Sequence, residues 1–266
     1  MTKIDGGICA AKGFKASGTY CGIKKPAVEN PNPDYVHKND ICLVACDVLC
    51  NTAAVYTQNK VKGAPILVTK DHLAKSGNKA KAIIANSKNA NTCNADGEKK
   101  AWRMCEIAGE ALGIDPHDVI VASTGVIGQI LPIAPIENAA PALAALLNEN
   151  GSNMAAKAIM TTDTIEKECA VKITLGDKEV CIGGISKGSG MIHPNMATTL
   201  AYVTTDAKCD SADLQKMLHN AIDKSFNMCT VDGDTSTNDT LIIMASGLAG
   251  NPEITEENAD YEAFVA

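Results

Sequence analysis

The segment CAVKITLGDKEVCIGGI, residues 169–185, places Val171, Ile173 and Leu175 at every second position before a Gly176-Asp177 pair. An extended chain puts alternate side chains on one face, and a Gly-Asp pair suits a tight reversal, so the segment reads as a β-hairpin. Elsewhere the apolar spacing is helical. Residues 98–113 carry Trp102, Cys105, Ile107, Ala108 and Leu112, with Asp96-Gly97 before them and Gly113 as terminator. Residues 211–226 put Leu214, Met217, Leu218, Ala221, Ile222 and Phe226 on one face of a second helix. A third helix is expected over 137–149, after Pro135. ICLVAC, AAVYT and APILVT, between Asp40 and Lys70, read as strands, as do DVIVAST, running into Thr124-Gly125, and TLAYVTTDA. Strands and helices that alternate irregularly indicate an α/β fold of mixed sheets with packed helices.

The 266 residues, 45% of them hydrophobic, suffice for a sizeable core. A net charge of −7, with no basic run, argues against binding nucleic acid or an anionic membrane. No start resembling a signal peptide and no long apolar run are present, so a cytoplasmic location without a membrane span is expected. Eleven cysteines at irregular spacing, without CxxC or paired histidines, read as reduced core thiols, and no metal site is expected, Cys42, Cys46 and Cys50 included. ITEENADYEAFVA opens like a helix, with Thr255 placed to cap it and Glu256 and Glu257 in its first turn. It stops at Ala266 without a terminator, so a C-terminally truncated chain is expected.

Chemistry concentrates in KGSGMIHPNMATTLAYVTTDA, residues 187–207. A threonine hydroxyl is a weak nucleophile unless a base adjoins it. As the first residue of a chain its own α-amine, with a pKa of about 7.7–8.0, can serve. An internal threonine reaches that state when the bond before it is cut, here between Ala197 and Thr198. The alternative is an ordinary strand opening at Thr198-Thr199. An acyl-transfer site also needs an anion-stabilising pocket, for which Ser123-Thr124-Gly125 at a strand end is a candidate. GISKGSG lacks the phosphate-loop order. VDGDTSTND fails as a calcium loop, with Ile243 where glutamate is needed, and reads as a hydrogen-bonded turn.

Taken together, KGFKASGTYCGIKK, NKVKGAP, STGVIG, IMTTDT, GISKGSGMIHPNMAT, TTDA and VDGDTSTNDT resemble the ornithine acetyltransferase family of bifunctional arginine-biosynthesis enzymes along nearly the whole chain. The resemblance implies a self-cleaving architecture with an N-terminal threonine nucleophile. Residues 1–197 would form an α chain and 198–266 the beginning of a β chain. It implies Thr198 as nucleophile, Ala197-Thr198 as the cleaved bond, and Thr124 and Gly125 as the oxyanion hole. Thr161, Lys187 and Thr198 would bind substrate. The implied reaction passes an acetyl group from N-acetylornithine to glutamate through acetyl-Thr198. It needs no cofactor, with acetyl-CoA as a co-substrate that some members accept, and the implied assembly is a heterotetramer of two α and two β chains. The competing readings are a self-processing amidase or aminopeptidase, and an inactive fragment that needs a separate C-terminal piece.

The chain departs from the family pattern at three places. Lys88 stands in NSKNAN where glycine is usual, and at φ > 0 a lysine there would cost about 1 kcal/mol or more. Thr199 stands where methionine is common, beside the expected nucleophile. The family's later glutamate-containing segment and its terminal Asn/Thr pair are not in this sequence.

Overall fold

The computed structural model describes residues 1–25, 36–193, 199–256 and 260–266. In chain order the elements are β1 (Thr2–Ile4), β2 (Phe14–Thr19), β3 (Ile41–Tyr56), α1 (Ala64–Ser76), β4 (Lys79–Asn86), α2 (Gly97–Leu112) and β5 (Val119–Ser123). There follow α3 (Ile133–Ala145), α4 (Ser152–Ile159), β6 (Lys167–Leu175), β7 (Lys178–Lys187), β8 (Leu200–Thr205), α5 (Ser211–Asp223), β9 (Thr240–Ala245) and α6 (Asp260–Val265). Among the described residues the strands form one nine-stranded sheet in the order β1-β6-β7-β8-β9-β3-β4-β5, with β2 also paired to β3. β4–β5 and β8–β9 are parallel and the other pairs antiparallel, which is the mixed α/β sheet the sequence implies.

Strand alternation explains how the sheet is covered. Cys42 and Val44 of β3, Ile83 of β4, Tyr202 of β8 and Ile242 of β9 point to one face, where they pack with Ile8, Phe14 and α4. Their neighbours point the other way. Ile41, Leu43, Ile84 and Val121 meet α1, α2 and α3, while Ala201, Leu241 and Ile243 meet the Leu214, Met217, Leu218 and Ile222 face of α5. Each large aliphatic side chain buried this way contributes about 1.5–3 kcal/mol relative to exposure.

The 169–185 hairpin forms as read, with Leu175 opposite Lys178 across the two-residue turn. The helices at 98–113 and 211–226 form as well, each over slightly fewer residues. Three readings are corrected. APILVT is not a strand but the start of α1. Gly63 precedes it in extended conformation, Pro65 sits in the first turn, and the left-handed Gly77 ends the helix thirteen residues on. Pro at this position loses no intrahelical bond, and a short apolar run alone does not distinguish helix from strand. ICLVAC and AAVYT are one strand, interrupted by a register shift between Ala45 and Cys50. The helix expected over 137–149 runs Ile133–Ala145, with Pro135 inside its first turn and Pro141 in its interior. Asp96 does not cap α2; its carboxylate pairs with Lys100 at 3.0 Å. α6 begins at Asp260, well after Thr255, and Glu257 lies outside the described residues.

All eleven cysteines are free, but only Cys9, Cys42, Cys46, Cys50, Cys105 and Cys209 are buried; Cys93, Cys169 and Cys229 are exposed. No helix among the described residues is long and apolar enough to cross a membrane.

Candidate functional site

Two loops interlock at the ends of the parallel pair β4–β5. The Thr124 N–H donates to Asn86 O at 3.0 Å, the Val126 N–H to Lys88 O at 2.9 Å, and the Ala90 N–H to Val126 O at 3.0 Å. Ser123 Oγ donates to Asn86 Oδ1 at 2.6 Å. The approach is so close that a Cβ on Gly125 would stand 2.1 Å from the Lys88 carbonyl carbon, and Gly125 itself has φ +133°. Only glycine meets both conditions. Lys88 sits at φ +77°, the left-handed region that the sequence comparison with glycine anticipates.

Asn238, from the turn before β9, ties this pair of loops to the rest. Its Nδ2 donates to Ala90 O at 2.7 Å and Ser123 O at 3.0 Å, and its Oδ1 accepts from the Thr92 and Thr237 hydroxyls, both at 2.6 Å. The VDGDTSTND segment is thus the hydrogen-bonded turn it reads as. Asp232 within it accepts from the N–H groups of Met191 at 2.6 Å and Ile192 at 2.9 Å.

Between these loops lies a cavity of about 680 Å³. Thr124, Gly125, Thr161 and Lys187, taken from separate stretches of sequence, all line it. Lys187, at the end of β7, is only 3% exposed, and its Nζ donates to Thr124 Oγ1 at 3.4 Å. Burial lowers the Lys187 pKa, and Asp163 and Asp239 partly offset that. The main-chain N–H of Thr124 is already committed to Asn86, so the hydroxyl is what Thr124 presents.

Asp163 was not singled out from sequence, yet it holds two of these residues in place. Its side chain is fully buried and accepts from the Thr161 N–H at 3.1 Å, the Gly188 N–H at 2.8 Å and Lys167 Nζ at 2.7 Å. Burial alone would raise its pKa, but the bonds from Lys167, Gly188 and Thr161 outweigh it and hold the carboxyl below its ordinary value. Its position two residues after Thr161 in IMTTDT is the signal that could have found it.

The cavity is also more basic than the sequence reading foresaw. Lys24, Lys25, Lys38 and Lys88 line it with Lys187, and no acid does among the described residues. Lys24 donates to Asn39 O at 2.6 Å and Met160 O at 2.8 Å, and burial lowers its pKa to about 8. On a chain of net charge −7, such a lining concentrates positive potential where a carboxylate would enter.

The expected nucleophile Thr198 and the Ala197-Thr198 bond lie outside the described residues. Their described neighbour Thr199 is held on both sides by the start of β9. Its N–H donates to Asp239 Oδ1 at 2.9 Å, and its carbonyl accepts from the Thr240 N–H at 3.0 Å.

Comparison with known proteins agrees with this architecture. An arginine biosynthesis bifunctional protein ArgJ from Symbiobacterium thermophilum is 47% identical over 265 residues, which cover 99% of this chain and 63% of that protein. The chain therefore spans somewhat under two thirds of the length of this relative. The crystal structure of the arginine biosynthesis bifunctional protein ArgJ from Bacillus halodurans is 40% identical with a TM-score of 0.65, over 73% of this chain and 97% of that one. An ornithine acetyltransferase from Mycobacterium tuberculosis, solved in complex with ornithine, is 29% identical with a TM-score of 0.61, over 73% of this chain and 96% of that one. The sequence model of the ArgJ family matches residues 15–266, nearly the length of the interlocked loops and sheet described above, and on these grounds the chain belongs to the ArgJ family.

Proposed function

We propose that the protein transfers an acetyl group from N-acetylornithine to glutamate by way of an acetyl-threonine at Thr198. The observation that carries this reading is the convergence of Thr124, Gly125, Thr161 and Lys187 on one lysine-lined cavity. Both substrates bear carboxylates, which the lysines suit, and a relative of similar fold is an ornithine acetyltransferase that binds ornithine.

In this reading the chain is first cut between Ala197 and Thr198, which frees the Thr198 amine. That amine takes the proton from Oγ as Oγ bonds to the acetyl carbonyl carbon. The Thr124 hydroxyl and the Gly125 N–H stabilise the oxyanion, and Lys187 supports the Thr124 hydroxyl. The tetrahedral intermediate collapses as the C–N bond to ornithine breaks, with the proton passing to the leaving amine. The amine of glutamate then attacks acetyl-Thr198 and departs as N-acetylglutamate, and Oγ recovers a proton. Acetyl-CoA, as an alternative donor, would enter at the same acetyl-threonine. Thr161 and Lys187 bind the substrate. The reading also carries the assembly of two α (1–197) and two β chains (from 198), and a cytoplasmic location.

The test is formation of N-acetylglutamate from N-acetylornithine and glutamate. Thr198→Ala is expected to abolish it, and Thr124→Ala to lower kcat by roughly 100- to 1,000-fold, the usual loss for one oxyanion donor. Release of free acetate at a rate indifferent to glutamate would replace transfer by hydrolysis.

A further inference from the structure

Asp239 has no part in the scheme above, yet it is among the most thoroughly buried acids of the chain, at 1% exposure. One of its oxygens, Oδ1, accepts the Thr199 N–H at 2.9 Å; the other, Oδ2, is buried without a hydrogen-bond partner among the described residues. The adjacent Thr240 N–H holds the Thr199 carbonyl at 3.0 Å, and the parallel pairing of Leu200 with Thr240 continues from there into β8–β9. The peptide that follows Thr198 is therefore oriented from its N–H side by a single carboxyl group. A carboxylate costs more to bury than any neutral acceptor, so a carboxyl placed at this one amide calls for a reason beyond joining two strands.

We infer that Asp239 is a positioning residue for chain cleavage: by fixing the Thr199 N–H it sets the peptide plane on which the Thr198 hydroxyl depends for its approach to the Ala197 carbonyl. The inference rests on the reading that the chain is cut between Ala197 and Thr198. In that step a bond forms between Thr198 Oγ and the Ala197 carbonyl carbon as the C–N bond breaks. The hydroxyl proton ends on the freed amine, and water then hydrolyses the ester to release the Ala197 carboxylate. Asp239 exchanges no atom in either stage.

The surroundings of Asp239 give the step a pH signature. Burial raises its pKa to about 7, opposed by the Thr199 N–H, the nearby Ser236 and Thr57 hydroxyls, and the Lys187 ammonium of β7. Asp163 faces the same ammonium from the far side and is held ionised. As pH rises through neutrality Asp239 becomes a carboxylate, the form that holds an N–H most strongly.

The experiment is an intact-mass time course of the freshly purified chain from about pH 5.5 to about pH 8.5, a range that brackets this titration. The wild type is expected to divide between Ala197 and Thr198 at a rate that climbs through neutrality, and Thr198→Ala to stay whole. Asp239→Asn retains an acceptor oxygen but not the charge. It is expected to cut roughly 100-fold more slowly, as a misplaced group commonly does, with a flat pH profile. Asp239→Glu, which restores the charge, is expected to recover the pH dependence. Cutting of the Asp239→Asn chain within about threefold of the wild-type rate, with the same inflection, would overturn the inference while leaving the cleavage reading intact. Loss of the native circular dichroism spectrum in that variant would assign Asp239 to stability and overturn it too. A wild-type chain whole at every pH, or a Thr198→Ala chain that is cut, would remove the cleavage reading and this inference together.

Discussion

Single residues carry two of the chain's local conflicts. Lys88 holds φ +77°, a conformation that costs a residue with a Cβ about 1–2 kcal/mol. Lys88→Gly is therefore expected to stabilise the fold by up to about 1 kcal/mol, once the greater freedom of glycine in the unfolded chain is subtracted. A thermal melt would show this as a Tm higher by about 2–4 °C, and an unchanged or lower Tm would mean that the strain is relieved locally. The second conflict is Tyr202, wholly buried with its hydroxyl unpartnered among the described residues. Tyr202→Phe removes a polar group that has nothing to bond and keeps the ring, so denaturant unfolding should show a gain of about 1 kcal/mol. The first conflict was legible, because the comparison of NSKNAN with a glycine-containing pattern points to a backbone requirement. The second was not. TLAYVTTDA announces a buried strand, but whether a tyrosine hydroxyl finds a partner depends on what the other elements bring to that face.

At the scale of elements, periodicity and terminators were reliable where a segment is long and amphipathic. α5 shows why: its apolar face is read from spacing, and its start is fixed by Asp210, whose carboxylate accepts the Asp213 N–H at 2.8 Å. Asp210→Ala is expected to cost about 1 kcal/mol in a urea titration, and Asp210→Ser far less. APILVT failed for the converse reason, since six apolar residues satisfy either geometry and Pro65 was the only local sign of a first helical turn. The site divides the same way. Thr124, Gly125, Thr161 and Lys187 were found by motif, each in its own stretch. Asp163 and Asn238 became visible only once the loops met, because their role is to join segments far apart in sequence. The basic lining escaped notice because its lysines are scattered between Lys24 and Lys187, and net charge averages them away.

For the molecule as a whole, the sheet order decides what cleavage before Thr198 could do. β8 lies between β7 and β9, pairing from Ile182–Thr205 to Lys187–Leu200 on one side, and β9 in turn pairs with the second half of β3. The segment after the cut thus supplies two inner strands to a sheet whose other strands precede it. The two products are expected to co-elute in gel filtration under native conditions and to separate only in denaturant. Separation in plain buffer would show that these ladders do not hold the halves together.

The contact between Gly125 and the Lys88 carbonyl bears on how such a site can vary by descent. A side chain at position 125 needs the 86–91 loop to withdraw first, and that loop is bound to the neighbouring backbone from Thr124 to Val126. Position 88 faces no such barrier, since its side chain is exposed and only its carbonyl is engaged. Substitutions can therefore accumulate at 88 while 125 stays fixed, and a lysine where relatives carry glycine is drift on the tolerant side of an unequal pair.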